Sequence, residues 1–311
     1  MEQEKKGKVC VTGGSGYLGS WMIMKLLQLG YSVNTTIRSH PERLHIFNAD
    51  LHKPESFNIA IEGCIGVFHV AHPIDFEDKE TEETITQRSI DGIIGILQAC
   101  LESQTVKRVV YTSSAATVLG DSSNIVDESS WTDVDLIRTL KPFASSYTIS
   151  KTLTEKAALK FAEKNGIDLV TVIPTWINGP FITPQIPGSV RSSLEMILGH
   201  QSNIIKYPPI VPFVHVDDVT NAHIFLLENP NAKGRYICSA VEITREKLAQ
   251  FLLTRYPEFQ KQITEYTWTS RELKRSSLSS KKLLETGFKY KYGLEEMFDG
   301  AIDCCKQRDM L

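Results

Sequence analysis

The chain has 311 residues, of which 41% are hydrophobic and 23% charged, enough to bury a large core in one big α/β domain or two smaller ones. Its 34 lysines and arginines and 37 acids give a formal charge of −3 with both signs mixed along the chain, which offers no basic stripe for nucleic acid and no polybasic anchor for a membrane. The charged start MEQEKKGKVCV lacks the apolar run of a signal peptide, no stretch approaches the roughly 20 apolar residues of a membrane span, and the six cysteines show no CxxC spacing. A cytoplasmic protein with reduced thiols and no nucleic-acid or membrane partner is expected.

From the N-terminus, β-branched runs alternate with helical patterns, the signature of βα units and a parallel sheet. KVCVTG, YSVNTTIR, LHIFNAD, IGVFHVA, KRVVYTSS and DLVTVIP each read as a buried strand. Between them GYLGSWMIMKLLQLG forms a helix ending at Gly30, Pro54 opens a short helix to Gly63, and ETITQRSIDGIIGILQACLES and SSYTISKTLTEKAALKFAEKNG are long ones. After about residue 175 Pro180, Pro184, Pro187, Pro208, Pro209 and Pro212 break the chain repeatedly, which predicts a smaller loop-rich lobe over 176–311. Residues 1–175 are the expected cofactor-binding domain, with some later segments returning to it. Later helices are expected at DDVTNAHIFLLEN, TREKLAQFLLTRY, SSKKLLETG and GLEEMFDGAIDCC, and the serines from Ser276 to Ser280 as a loop and helix N-cap.

One join conflicts with this pattern. Strand two ends near Arg38 and strand three begins near Leu44, yet a parallel crossover needs about a dozen residues or more. Either a crossover segment is absent from the chain or one strand lies outside the parallel sheet. The first is expected, with a discontinuity or a strained, exposed link between Ser39 and Leu44.

The first strand runs into VTGGSGYLGSW, where Gly13, Gly16 and Gly19 form GxxGxxG as strand gives way to helix. Glycine there permits a tight turn and close approach of a pyrophosphate to the helix N-terminus, so Gly13, Gly16, Tyr17, Leu18 and Gly19 are candidate dinucleotide contacts. About 20 residues on, where an NAD site offers an acid to the ribose, the chain has Arg38, which suits the 2′-phosphate of NADPH; Arg43 is a second candidate. Asp50 and Leu51 follow strand three, and Val70, Ala71 and His72 follow strand four. His72 is expected to pack or touch substrate rather than act in a triad. His215, Asp217 and Asp218 resemble a metal cluster only superficially; Asp217 or Asp218 is expected to cap the helix that follows, and no metal is expected.

Strand five ends with Ser113 and Ser114 at the carboxyl edge of the sheet, where open α/β sheets bind ligands. Tyr147 and Lys151 share a helix face at i and i+4. Together they suit hydride delivery to a ketone, whose oxygen gains negative charge and needs both hydrogen-bond donors and a proton. Tyr147 is the expected proton donor, Lys151 the ammonium that lowers its pKa and holds the nicotinamide ribose, and Ser114 the group that polarises the carbonyl.

The glycine loop, Ser, YxxxK and HVDDV in this order make the chain resemble an extended short-chain dehydrogenase/reductase. More narrowly, VCVTGGSGYLGSW, NTTIRS, FNADL, PIDF, SKTLTEKA, GPFITP, HVDDV and KGRYICS are similar to the plant group of dihydroflavonol 4-reductases and vestitone reductases. The resemblance covers nearly the whole chain. It implies a Rossmann-type doubly wound parallel sheet holding NADPH or NADP+, a smaller, loop-rich C-terminal substrate lobe, and a Ser114, Tyr147, Lys151 triad. Pro174 and Ile177 join the expected cofactor contacts; Leu119, Trp176, Phe181 and Ser189 are the expected substrate contacts, with Ile177 also near. Relatives carry a crossover helix after the arginine that this chain lacks. Dihydroflavonol reductases place an asparagine where Leu119 stands, which disfavours polyhydroxylated dihydroflavonols. PFASSYTIS argues against a CoA thioester, and Leu119 followed by Gly120 departs from the YG pair of nucleotide-sugar epimerases. The expected activity is reduction of a ketone on a small polycyclic aromatic plant metabolite, isoflavanone-like, by a monomer. Dihydroflavonol reduction, oxidation of an alkaloid alcohol or hemiacetal, and cofactor binding without turnover are the alternatives.

Overall fold

Side chains of the first strand part to two cores: Val9 and Val11 join one buried cluster, and Cys10 joins another on the opposite face. Apolar on both faces, such a strand must be covered by helices on both sides. A computed structural model describes residues 6–37, 45–51, 53–73, 80–119, 125–142, 144–199, 209–266 and 277–311.

In chain order, β1 (Lys8–Thr12) leads into α1 (Tyr17–Gln28), followed by β2 (Ser32–Ile37), β3 (His45–Asn48) and α2 (Asn58–Ile61). Next come β4 (Gly66–His69), α3 (Glu82–Ser103), β5 (Arg108–Thr112), β6 (Ile125–Val126), α4 (Val134–Leu140), α5 (Ser145–Asn165) and β7 (Leu169–Pro174). The later chain forms β8 (Trp176–Asn178), α6 (Gly188–Ser193), α7 (Glu195–Leu198), β9 (Ile210–His215), α8 (Val216–Glu228), β10 (Gly234–Cys238) and β11 (Val241–Thr244). It closes with α9 (Arg245–Arg255), α10 (Gln260–Glu265), β12 (Ser277–Leu278), α11 (Lys281–Glu285) and α12 (Leu294–Lys306).

Seven strands make one sheet in the order β10-β7-β5-β4-β1-β2-β3, and every pairing in it is parallel. Helices α1 and α8 cover one face, and α2, α3 and α5 the other. This is a Rossmann-type doubly wound α/β fold. Chain order reverses between β1 and β4, so the connections leaving the carboxyl ends of those two paired strands run to opposite faces and leave a crevice above them. Strand β10, about sixty residues beyond β7, returns to pair with it through Gly234↔Val170 to Cys238↔Pro174. A three-stranded sheet β11-β9-β8 and helices α9 and α12 enclose a separate core around Phe213, Phe298 and Leu252, with Phe213 and Phe298 ring centroids 5.6 Å apart.

The short join between β2 and β3 resolves in one respect. Both strands sit in the parallel sheet, in register from Asn34↔His45 to Ile37↔Asn48, so a strand outside the sheet is excluded. Residues 38–44 lie outside the described residues, and with them the expected broken or strained link, Arg38 and Arg43.

One capping expectation is corrected, and another holds in position but not in bonding. The α8 N-cap is His215, whose Nδ1 accepts from the Asp217 amide at 3.0 Å, not either aspartate. Asp217 instead accepts from Trp21 Nε1 and Lys25 Nζ at 3.1 and 3.0 Å, and Asp218 accepts from the Lys291 and Tyr292 amides at 3.1 and 3.2 Å. Both carboxylates thus tie α8 to neighbouring segments. Ser280 holds the cap position of α11, but its hydroxyl donates to the Ser239 carbonyl at 2.8 Å rather than capping.

Candidate active site

At the end of β1 the backbone of Gly13 takes a φ of +73°, and a Cβ there would stand 2.9 Å from the Ala71 Cα after β4. No L side chain fits that left-handed turn between two strand ends. A Cβ on Gly19 would meet the Gly13 carbonyl oxygen at 2.2 Å, so α1 packs directly on the turn. Backbone bonds hold the loop: the Gly14 amide donates to the Thr36 carbonyl at 3.1 Å and the Gly16 amide to the Gly13 carbonyl at 3.0 Å. Gly16 caps α1 without a side-chain bond, and no acid occupies the first turn. The N-terminal amides and the positive end of the helix dipole are therefore left for an outside anion, which suits the pyrophosphate of a dinucleotide.

Ser114, two residues past β5, opens a 3₁₀ turn, Ala115–Val118, its Oγ accepting from the Ala116 amide at 3.2 Å. Across the crevice, Tyr147 and Lys151 stand one turn apart on α5, and the Tyr147 phenol and the Ser114 hydroxyl share a hydrogen bond. Lys151 is 3% exposed; its Nζ donates to the Thr112 carbonyl at 3.0 Å and lies 5.3 Å from the Tyr111 ring centroid.

The electrostatics differ from expectation. Burial raises the Tyr147 pKa above its ordinary 10.0, with the Ser114 hydrogen bond working against that rise, and Lys151 is not among the causes. Burial also depresses Lys151 from 10.5 to about 7, opposed by the Glu155 carboxylate. Water is withheld from both groups, so neither charged form is favoured by the protein alone. His69 Nδ1 is 2.8 Å from Thr12 Oγ1, and burial lowers its pKa to about 3. His72 meets the Tyr147 ring edge-on at 5.8 Å, and burial holds its imidazole neutral well below the ordinary value.

One cleft of ≈ 1200 Å³ gathers these residues. Its lining includes Gly13, Gly16, Tyr17, Leu18 and Gly19 at one end, then Asp50, Leu51, Val70, Ala71 and His72, and then Ser114, Tyr147, Lys151, Pro174 and Ile177. Leu119, Trp176 and Ser189 line it too. Phe181 does not: its ring is 1% exposed inside the C-terminal core, with the Arg308 guanidinium 4.9 Å from its centroid. An aromatic side chain beside a proline gave no sign of which way it faced, and burial of its apolar area decided the matter.

Several lining residues went unread in the sequence. Ser15, inside the glycine turn, is one. Leu136 and Leu140, exposed at 48% and 49%, line the cleft from α4 with Pro142, Ile186, Pro187 and Pro212. The i, i+4 leucines were the available signal. Among the described residues no group of three or more His, Cys, Asp or Glu side chains could hold a metal ion, and no helix is long and apolar enough to cross a membrane.

Comparison with known proteins accords with this geometry. The chain is 48% identical to vestitone reductase of Medicago sativa over 328 residues, covering 99% of each chain. The crystal structure of that enzyme from alfalfa superposes with a TM-score of 0.86 at 46% identity, covering 98% of this chain and 100% of the other. The chain is also 48% identical to protein BRI1-5 ENHANCED 1 of Arabidopsis thaliana over 99% of this chain and 91% of that one. It is 44% identical to dihydroflavonol 4-reductase of Callistephus chinensis over 100% of this chain and 90% of that one. That alignment runs over 330 positions against a chain of 311, so at least 19 have no counterpart here. The sequence model of the NAD dependent epimerase/dehydratase family matches residues 9–238. The chain belongs to that family, the extended short-chain dehydrogenases/reductases, on the side of its plant reductases.

Proposed function

We propose that the protein is an NADPH-dependent reductase of a ketone on a polycyclic aromatic plant metabolite of the isoflavanone type. The observation that carries this is the meeting, in one cleft, of the anion-ready glycine turn with a hydrogen-bonded Ser114–Tyr147 pair and the buried Lys151. Identity to vestitone reductase over 99% of the chain supports the substrate class. The division into a cofactor domain over 1–175, rejoined by later segments, and a substrate lobe over 176–311 is part of this reading. So are a cytoplasmic location and a monomer, the last open to light scattering on the purified chain.

NADPH, when bound, supplies the hydride. The chain's residues do the rest. Gly13, Gly16 and Gly19 let the backbone close on the diphosphate, with Tyr17, Leu18, Asp50, Leu51, Val70, Ala71, Pro174 and Ile177 along the same wall. Ser114 donates a hydrogen bond to the substrate carbonyl and fixes its direction. As the carbonyl carbon gains hydride, the Tyr147 O–H bond breaks and its proton passes to the oxygen, leaving alcohol and phenolate. Because burial disfavours that phenolate, a protonated Lys151 beside it is needed during the step. Leu119, Trp176, Leu140 and Pro212 give the ring system an apolar wall that excludes water, and Ser189 offers a hydroxyl nearby.

A panel of isoflavanones, dihydroflavonols and alkaloid ketones, followed by loss of NADPH absorbance and by product analysis, tests the reading. It expects the highest kcat/KM with an isoflavanone and an alcohol as product. NADPH left unconsumed by every ketone, alongside NADP+-dependent oxidation of an alkaloid alcohol or hemiacetal, would replace it with the reverse reaction. That second reading draws on the 44% identity to noscapine synthase SDR1 of Papaver somniferum.

A further inference from the structure

Four residues after Lys151 and eight after Tyr147, the same face of α5 carries Glu155, which is 0% exposed. Its carboxylate is fully engaged. Oε2 accepts from the Ser113 hydroxyl at 2.6 Å, and Oε1 accepts from Arg235 Nε at 2.9 Å. Arg235, on the returning strand β10, also donates to the Glu128 and Ser130 carbonyls at 2.8 and 2.7 Å and lies 3.6 Å from the Trp131 ring centroid. Its Nη2 donates to Thr117 Oγ1 at 3.0 Å, and that hydroxyl donates in turn to the Ser114 carbonyl at 3.0 Å. One buried carboxylate thus joins the helix bearing Tyr147 and Lys151 to the strand end bearing Ser114.

For stability alone this pair has little to recommend it, since apolar side chains of similar volume serve a core as well as a desolvated ion pair. A charge at this site acts on its neighbours, however. Facing Lys151 are Tyr147 and Glu155 on its own helix, Tyr111 and the Thr112 carbonyl from β5, and His69 from β4 with His72 just beyond; Arg88 of α3 stands near His72, and Arg235 beyond Glu155. Of these, the Glu155 carboxylate is the group that opposes the loss of the Lys151 proton to burial.

We propose that Glu155 is a positioning residue for the ketone reduction: it fixes the Ser114 turn against the Tyr147 helix, and its negative charge supports the Lys151 ammonium. Arg235 orients that carboxylate and shares its charge. The inference rests on the roles proposed above for Ser114, Tyr147 and Lys151.

The test compares Glu155→Gln, Glu155→Asp and Arg235→Gln by two readouts: the pH profile of kcat and KM for the ketone, and the NMR titration of Cε-labelled Lys151, assigned by its loss in Lys151→Met. Glu155→Gln is expected to lower kcat more than about tenfold with little change in KM and to move the Lys151 titration down by about one pH unit. Arg235→Gln leaves the carboxylate unshared and is expected to move it up; Glu155→Asp should recover part of the loss. A merely structural pair would move both Gln variants in the same direction or neither, and that result overturns the proposal. Should Glu155→Gln fail to fold, an upward shift in Arg235→Gln supports the proposal and no shift overturns it. The NMR titration needs no turnover, so a wild-type protein that reduces no ketone would refute the functional reading while the Lys151 coupling is still measured.

Discussion

The two ends of the cleft are built on different principles. At the glycine turn the backbone itself is the instrument: Gly13 needs a φ of +73°, and Gly19 must present nothing to a carbonyl oxygen 2.2 Å from where its Cβ would be. At the wall proposed to hold substrate, Leu119, Leu140, Ile186 and Pro212 contribute apolar surface that many side chains would supply. The first end therefore tolerates almost no change, whereas the second can be re-cut without loss of the fold. Between them Ser114, Tyr147 and Lys151 combine both principles, with chemistry fixed by residue type and placement fixed by a buried polar network.

That contrast orders the expected effects of substitution. Tyr147→Phe removes the proposed proton donor while leaving the ring against His72, so kcat should fall about 10²–10⁴-fold with NADPH affinity retained; stopped-flow turnover and fluorescence titration measure the two separately. Gly19→Ala forces the turn apart and should weaken NADPH binding by more than about tenfold, read by the same titration, while kcat at saturating cofactor changes less. Either substitution having the other's pattern would erase the distinction between chemistry and cradle.

Lys151 sharpens the middle of the comparison through pH. Between about 7 and 10.5 the unfolded chain holds a proton on this amine that the folded chain does not. Folding stability should therefore rise with pH across that window, by up to a few kcal/mol, relative to Lys151→Met, as measured by urea denaturation at several pH values. Below pH 7 the burial cost is present in full and the difference should level off.

At the wall, Leu119→Asn should shift relative kcat/KM about tenfold toward a hydroxylated dihydroflavonol over an isoflavanone, since an amide can pair with hydroxyls that leucine cannot. Smallest for turnover is Phe181→Leu. It should cost about 1 kcal/mol of stability by thermal unfolding and leave kcat/KM within about twofold, because the ring belongs to the C-terminal core.

The same division explains what could be read from the residues alone. Gly13 and Gly19 were legible because sterics leave one residue type for each, and Tyr147 with Lys151 because a glycine turn and a serine at the sheet edge accompany their shared helix face. Six of the seven strands of the parallel sheet, β1 to β5 and β7, were legible from β-branched runs; β3, expected to be buried, is instead the half-exposed edge strand, because no described strand covers its outer side, and the short β6 was not foreseen. Strand β10 was harder, since GRYIC lies far along the chain and pairs by long-range contact with β7. Leu136 and Leu140 share a helix face at i, i+4, but that spacing alone does not tell a cleft wall from a packed core face. Glu155 read as an ordinary helix glutamate; its burial depends on Arg235, eighty positions later, and no local pattern announces it. The reversal for Lys151 has the same origin: spacing shows a neighbour, but only packing shows how little water reaches the pair.

The most direct test of the central claim is transfer of deuterium from NADPH labelled at the nicotinamide C4 to an isoflavanone ketone by the wild-type protein and by Tyr147→Phe. The account predicts an alcohol carrying one deuterium at the former carbonyl carbon, formed by the wild type and nearly lost in the variant, with cofactor binding intact in both. An alcohol without deuterium, or equal rates from both proteins, would contradict it.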